Sequence, residues 1–183
     1  LSVVGKPEIV STQMCSKGRF LEIIHDFIVY DKGIKKTCRT NQYFGVRAAQ
    51  DYMRNREGGV IWHTQGSGKS LIMVWLAKWV RENIPHSRVL ILTDRTELDD
   101  QIEKVFTGVN ETIYRASRGG ALFDELNKTT ESLLCSLIHK FGSSDKTDTE
   151  AFIEDIKKTL PEGFSAKGEM FVFIDECHRT QSG

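Results

Sequence analysis

A short glycine-rich segment, TQGSGKS at residues 64–70, constrains the fold of this chain more than any other feature. It follows the apolar run GVIW at residues 59–62 and precedes a longer apolar run. Gly66 and Gly68 carry no side chain, so the backbone can curve closely around an anion and present its N–H groups to it. We therefore predict a strand at 59–62, a tight loop, and a buried helix at 70–81 whose N-terminal end faces the anion.

The residue types in this segment are those of a phosphate-binding loop. Lys69 supplies a positive charge for the β- and γ-phosphates of a nucleotide, and the Ser70 hydroxyl is suited to Mg²⁺. The general pattern has glycine where this chain has His63, which weakens the match to that pattern. The alternative is a glycine-rich turn before a buried helix, with no ligand. The residues assigned to the nucleotide are Thr64, Gln65, Gly66, Ser67, Gly68, Lys69 and Ser70.

A second motif follows the last apolar run of the chain. MFVFI at residues 170–174 predicts a central parallel strand that is covered on both faces. Asp175 and Glu176 come directly after it, at the edge where parallel sheets bind ligands. Asp175 is suited to hold Mg²⁺, and Glu176 to orient and deprotonate an attacking water. Alone, the two acids would fit a solvated turn equally well; together with the loop they predict a site for ATP and Mg²⁺.

Composition restricts the class of protein. The chain has 183 residues with 25 basic and 25 acidic side chains, which predicts one domain without the basic excess of many nucleic-acid-binding proteins. Its cysteines are widely spaced, which indicates reduced thiols in an intracellular protein rather than a zinc site or a disulfide framework. The sequence has no signal-peptide pattern and no apolar run long enough to cross a membrane.

Helical patterns and apolar runs alternate along the chain, which predicts an α/β fold with a parallel β-sheet sandwiched by helices. Asn41 is the predicted N-cap of the second helix. Residues 141–149 are polar and predict a mobile loop. The predicted helices lie at 20–26, 41–56, 70–81, 97–106 and 151–160, and the predicted strands at 27–30, 59–62, 89–93, 112–115, 133–137 and 170–174.

Two further segments resemble motifs of superfamily 2 helicases and translocases. LILTDRTELDDQ at residues 90–101 is similar to their motif Ia, in which Arg95 and Thr96 would bind a DNA phosphate without reading bases. The alternative is that Arg95 pairs with a nearby acid. RTNQ, from Arg39 to Gln42, is similar to their adenine-contacting element. The Gln42 amide suits this contact, because it can both donate a hydrogen bond to the adenine edge and accept one from it. The alternative for Gln42 is a solvated side chain at a helix start.

As a set, the motifs resemble the R (restriction, motor) subunit of type I restriction enzymes. Histidine is usual in that family at the position of His63, so the departure from the general loop pattern is expected there. The family usually has threonines where this chain has Cys135 and Ser136, which puts a DNA contact there in doubt. The matching segments are RFLEIIHDFIVY at 19–30, NQYFGV at 41–46, WHTQGSGKS at 62–70, LIHKF at 137–141 and DECHR at 175–179.

The resemblance implies a RecA-like P-loop NTPase fold. Residues 1–36 would be a lead-in from an upstream nuclease region, and residues 37–183 the first RecA-like motor domain, truncated after the DECHR motif. The implied enzyme is an ATP-dependent type I site-specific deoxyribonuclease that uses ATP and Mg²⁺ to translocate along double-stranded DNA. His178 would link the ATP site to motion of the next domain.

The same resemblance implies partners and limits. The partners would be double-stranded DNA and the methyltransferase and specificity subunits of a restriction-modification complex, with no membrane, in the cytoplasm of a bacterium or archaeon. The arginine finger and the nuclease of the family lie in other domains. A fragment would therefore bind ATP with little turnover and would cleave no DNA.

Three other classes of protein stay open at this point. One is a superfamily 2 helicase or remodeller outside restriction. Another is a P-loop switch or kinase with no nucleic-acid role, against which the motif Ia segment argues. The third is an inactive binding module that keeps the fold, against which Lys69, Asp175 and Glu176 argue.

Overall fold

The computed structural model describes residues 15–31, 33–64, 66–93, 96–108, 111–116, 119–137, 160 and 162–175. The chain divides into two compact units, Leu1–Trp79 and Val80–Gly183. Within those described ranges, no helix has the length and apolar character needed to cross a bilayer.

The first unit is built from helices and a β-hairpin. The hairpin is antiparallel, with Ile28 opposite Thr37, and Gly33 at its turn takes a positive φ of 78° that glycine adopts readily. The predicted helices at 20–26 and 41–56 and the strand at 27–30 are confirmed, with ends shifted by a few residues. In chain order the elements are α1 (Lys17–Asp26), β1 (Ile28–Asp31), β2 (Ile34–Thr37), α2 (Thr40–Arg54) and the start of α3 (Lys69–Asn83).

The predicted N-cap of α2 is wrong. The helix begins at Thr40, and Arg39 is its N-cap rather than Asn41. The reason is a local bond, since the Gln42 side-chain oxygen accepts the backbone N–H of Arg39 at 2.8 Å. That bond satisfies one of the N–H groups that a helix start leaves without an intrahelical partner.

Aromatic rings hold the first unit together. Phe27 is fully buried, and its ring centroid lies 5.1 Å from that of Tyr43 and 5.6 Å from that of Trp75. The Tyr43 hydroxyl donates to Glu22 at 2.6 Å, and Arg47 pairs with the same carboxylate at 3.1 Å. Burial, together with the Glu22 carboxylate, raises the pKa of Tyr43 to about 12. These contacts fix α1 against α2.

Helix α3 confirms the predicted helix at 70–81 and continues to Asn83. It is buried on nearly every side, as its apolar composition predicts. After it, the Ser87 hydroxyl donates to the Val80 carbonyl at 3.1 Å and fixes the turn into the next strand. The buried side chains of α3 are Ile72, Met73, Val74, Trp75, Leu76, Ala77, Trp79 and Val80.

The second unit contains a parallel sheet with strand order β4-β5-β3-β6, flanked by helices, which confirms the α/β fold. Val89 is paired with Leu133 on one side and with Phe171 on the other, so β3 lies between β5 and β6. In chain order the elements are β3 (Ser87–Thr93), α4 (Thr96–Gly108), β4 (Tyr114–Arg115), α5 (Gly119–Leu126), β5 (Leu133–Leu137) and β6 (Glu169–Ile174).

Helix α5 was not predicted from the sequence. Leu122, Phe123 and Leu126 point into a core that also contains Leu90 of β3 and Leu134 of β5. The spacing of these three apolar residues is helical and could have identified the helix. The glycine pair at its start, which is unfavourable in a helix, hides the signal.

Two strand predictions are wrong. Strand β6 lies at an edge of the described sheet rather than at its centre, and Val172 and Ile174 are 48% and 51% exposed. Residues 59–62 form no strand, and Val60 and Trp62 are 76% and 85% exposed. In both cases an apolar run gave the prediction, but an apolar run does not specify which neighbours a strand has.

Some predicted elements cannot be compared with the structure. The loop at 141–149 lies outside the described residues, as does the helix predicted at 151–160 except for its last residue. The strands predicted at 89–93, 112–115 and 133–137 correspond to β3, β4 and β5 and are confirmed. The helix predicted at 97–106 corresponds to α4.

Arg88 is a buried cation of β3 that binds backbone carbonyls. The Glu125 carboxylate lies 4.0 Å from its Nη2. The carbonyls that Arg88 binds lie at the end of α5, in the segment after α5 and in the segment before β6. Secondary structure supplies few donors to the carbonyls of such segments. Arg88 therefore ties these segments to the sheet. Its guanidinium donates, at 2.7–3.2 Å, to the carbonyls of Glu125, Leu126, Lys128, Glu131 and Lys167.

Replacing Arg88 with methionine should lower the free energy of unfolding by about 3–5 kcal/mol, because buried carbonyls would lose their donors. Chemical denaturation measures this loss. The control is Lys104→Met on α4, where the side chain is exposed and the change should stay within about 0.5 kcal/mol. A loss at Arg88 no larger than at Lys104 would contradict this role.

Candidate functional site

The glycine-rich loop adopts the curved backbone that the sequence predicts. Gly66 and Gly68 take positive φ angles of 73° and 83°, a region that side chains disfavour. The Ser67 N–H donates to the Thr64 carbonyl at 3.2 Å and closes a turn. Helix α3 begins directly afterwards, and the Leu71 N–H donates to the Gly68 carbonyl at 3.1 Å. The loop thus runs straight into a helix N-terminus.

The loop has the properties of an anion site. A Cβ at Gly66 would meet no atom of the described residues within 4 Å. The Ser67 hydroxyl is buried and has no hydrogen-bond partner in the described part of the chain. Lys69 and Ser70 occupy the first turn of α3, where unpaired N–H groups and the helix dipole favour negative charge. These groups fit a nucleotide phosphate.

Gln42 contacts this loop directly. Its side-chain Nε2 donates to the Ser67 carbonyl at 2.7 Å and to the Gly68 carbonyl at 3.3 Å. Only 3% of its surface is exposed. The Gln42 amide thus lies on the loop backbone, and the backbone N–H of Arg39 holds its other end. The assignment of Gln42 and Arg39 to adenine stays a prediction.

His63 is held at the other end of the loop. Its Nδ1 lies 3.2 Å from the side-chain nitrogen of Asn41, so a neutral ring accepts this hydrogen bond at Nδ1 and keeps its proton on Nε2. The ring lies against Gly45, where a side chain would come within 3.2 Å of Nε2. Burial and the charge of Lys69 lower the pKa of His63 from its usual 6.5. Sequence reasoning missed Asn41 and Gly45, because nothing in their spacing marks them as neighbours of residue 63.

The second motif is described only as far as Asp175. The N–H of Asp175 donates to the Leu92 carbonyl at 3.0 Å and continues the pairing of β6 with β3. Asp175 is 7% exposed, and Thr93 at the end of β3 is fully buried with a hydroxyl that has no partner among the described residues. A carboxylate at the carboxyl ends of parallel strands is suited to a divalent cation.

Other predicted site residues lie partly or wholly outside the described residues. Thr96 is the first residue of α4, but its side chain is not described, so the predicted DNA contact stays a prediction. The assignments to Gln65, Arg95, Glu176 and His178 also stay predictions, since the structure does not describe these residues.

Gly68→Ala should disturb the loop more than Gly66→Ala. Both substitutions place a side chain at positive φ and cost about 1–2 kcal/mol of backbone strain. At Gly68, however, the new Cβ would also come within 2.6 Å of Gln42 Nε2, whereas at Gly66 it would meet no described atom within 4 Å. We expect Gly68→Ala to bind a fluorescent ATP analogue with Mg²⁺ at least about tenfold more weakly than Gly66→Ala. Equal affinities would contradict the described contact.

Comparison with known proteins supports the ATPase prediction. The sequence profile of the SWI2/SNF2 ATPase family matches residues 41–183. The chain is 29% identical, over 96% of its length, to a protein of Methanocaldococcus jannaschii provisionally named as the type I restriction enzyme MjaIXP endonuclease subunit. It is 28% identical, over 89% of its length, to the type I restriction enzyme HindI endonuclease subunit of Haemophilus influenzae. A further relative, 30% identical over 68% of the chain, is the SsaAORF53P endonuclease subunit of Staphylococcus saprophyticus.

These names confirm the resemblance to R subunits that the motifs indicated. The chain spans only 17%, 16% and 12% of the lengths of these three relatives. The comparisons therefore identify the family of this stretch of chain and do not assign it the activity of a whole R subunit. On the profile match, which covers most of its length and includes the glycine-rich loop, the chain belongs to the SWI2/SNF2 ATPase family.

Proposed function

We propose that this chain is the ATP-binding part of the first motor domain of a type I restriction enzyme R subunit. The observation that carries the proposal is the phosphate loop, with glycines at positive φ leading into the N-terminus of α3. Family membership supports an ATPase, and the names of the relatives favour restriction. The proposed domain runs from residue 37 to 183, with residues 1–36 as its lead-in.

The proposed roles follow from the chemistry of each side chain. The loop N–H groups and the Lys69 ammonium bind the β- and γ-phosphates. Ser70 and Asp175 hold Mg²⁺, which neutralises charge on the phosphate oxygens when bound. Glu176 orients the attacking water and accepts its proton. In this proposal the two motifs act on one nucleotide although they lie far apart in the sequence.

The parent protein, in the same proposal, couples ATP hydrolysis to translocation along double-stranded DNA in the bacterial or archaeal cytoplasm, and cleaves unmodified DNA with a separate nuclease domain. Arg95 and Thr96 bind the DNA backbone, and His178 transmits the state of the ATP site to the next domain. The methyltransferase and specificity subunits are its partners. A superfamily 2 helicase or remodeller outside restriction is the alternative, and it shares the ATP site but not these partners.

Lys69→Ala should weaken binding of a fluorescent ATP analogue with Mg²⁺ by about 10- to 100-fold, because charge-assisted bonds to phosphate are lost. Titration by fluorescence anisotropy measures the change. Lys78→Ala is a matched control, since it removes another lysine of α3 that lies beyond the loop. If both variants bind as well as the unsubstituted chain, the loop is not the nucleotide site.

A further inference from the structure

Gly45 lies inside helix α2, where glycine stabilises a helix less than alanine does. Its backbone is helical and its φ is not positive, so the conformation does not require glycine. A Cβ at this position would meet two atoms of the described residues within 4 Å, and both belong to the imidazole of His63. They are Nε2 at 3.2 Å and Cε1 at 3.9 Å. The missing side chain of Gly45 therefore leaves room for the histidine ring.

Asn41 binds the same ring from one helical turn earlier. Residues 41 and 45 are four apart, so they lie on one face of α2. The side-chain nitrogen of Asn41 lies 3.2 Å from His63 Nδ1, and Gly45 lies against the Nε2 side of the ring. One face of α2 thus holds both sides of a neutral imidazole that accepts a hydrogen bond at Nδ1.

His63 is joined to the phosphate loop by a single peptide. The carbonyl of the next residue, Thr64, accepts the Ser67 N–H at 3.2 Å, and this bond closes the turn of the loop. After the loop, helix α3 fixes the backbone through the Gly68 carbonyl. Before the loop, residues 59–62 lie in no strand within the described ranges. The imidazole therefore attaches the start of the loop to α2.

The same contacts account for the departure of this loop from the general phosphate-loop pattern. That pattern has glycine at the position of His63, where no ring has to be accommodated. A histidine at this position needs space for its imidazole, and Gly45 provides that space from a neighbouring helix. The two residues therefore fit each other as a pair.

We propose that His63 is a positioning residue for the phosphate loop, and that residue 45 is glycine because the imidazole occupies the place of its side chain. The ring ties the start of the loop to α2 and strengthens phosphate binding by keeping the turn from Thr64 to Ser67 in place. This inference rests on the proposed function of the loop.

The test enlarges residue 45 with and without the imidazole. Gly45→Ala forces the ring to move by a few tenths of an ångström, and Gly45→Val adds two more methyl groups at the same place. We expect a fluorescent ATP analogue with Mg²⁺ to bind about threefold more weakly to Gly45→Ala and about tenfold more weakly to Gly45→Val. His63→Ala should also bind about tenfold more weakly, because the attachment to α2 is lost.

The double variants decide whether residue 45 acts through the ring. In chains that already carry His63→Ala, the substitutions at Gly45 should change the affinity by less than about twofold, because no imidazole remains to be displaced. Losses of the same size with and without the imidazole would overturn the proposal. Affinity of His63→Ala equal to that of the unsubstituted chain would overturn it as well.

The melting temperature separates this role from general stability. When His63→Ala is present, Gly45→Ala should raise the melting temperature by about 2–4 °C through helix propensity alone. The control is the reverse substitution, Ala48→Gly, at an exposed position of α2. It should lower the melting temperature by about as much and leave the affinity within about twofold. Affinity that follows the melting temperature across these variants would overturn the proposal.

An NMR titration of His63 tests the contact without a ligand. Burial and the charge of Lys69 hold the pKa of His63 below its usual 6.5. Gly45→Val should move the ring toward solvent and raise this pKa toward 6.5, since burial is the larger cause. An unchanged pKa would contradict the contact. If the unsubstituted chain binds no phosphate ligand, the proposed function fails, whereas undiminished binding by His63→Ala removes only this inference.

Discussion

Buried backbone carbonyls in irregular segments must find donors, and in each unit a buried side chain supplies some of them. Gln42 does so for the glycine-rich loop of the first unit, through the carbonyl of Ser67. Arg88 does so for the segments around α5 and before β6 in the second unit. Helices and strands satisfy their own backbone groups, but loops that approach a ligand do not. These two side chains therefore tie irregular segments to a neighbouring element.

Local sequence was sufficient to predict features that local chemistry determines. The loop at 64–70 and the helix after it were predictable, because glycine, lysine and an apolar run act within a few residues of one another. The strands β3 and β5 were predictable because their apolar runs are buried. The position of Asp175 after β6 followed from the same kind of run. The parallel α/β fold follows from the alternation of such elements.

Features that depend on distant parts of the chain were not predictable. The edge position of β6 depends on which strands pair with it, and the exposed run at 59–62 has no paired neighbour among the described residues. The hydrogen bond of Gln42 to the Ser67 carbonyl spans 25 residues of sequence, and no local pattern indicates it. For the same reason Asn41, which was predicted to cap α2, contacts His63 instead.

The most direct test of the account is whether the two motifs hold one ion. The Mg²⁺ dependence of ATP-analogue binding should be measured for Ser70→Ala, Asp175→Asn and the double variant. If both side chains hold the same Mg²⁺, the double variant should bind little worse than either single variant, with a coupling of at least about 1 kcal/mol. Losses that add within about 0.5 kcal/mol would contradict a shared site and leave the loop as a phosphate site without Asp175.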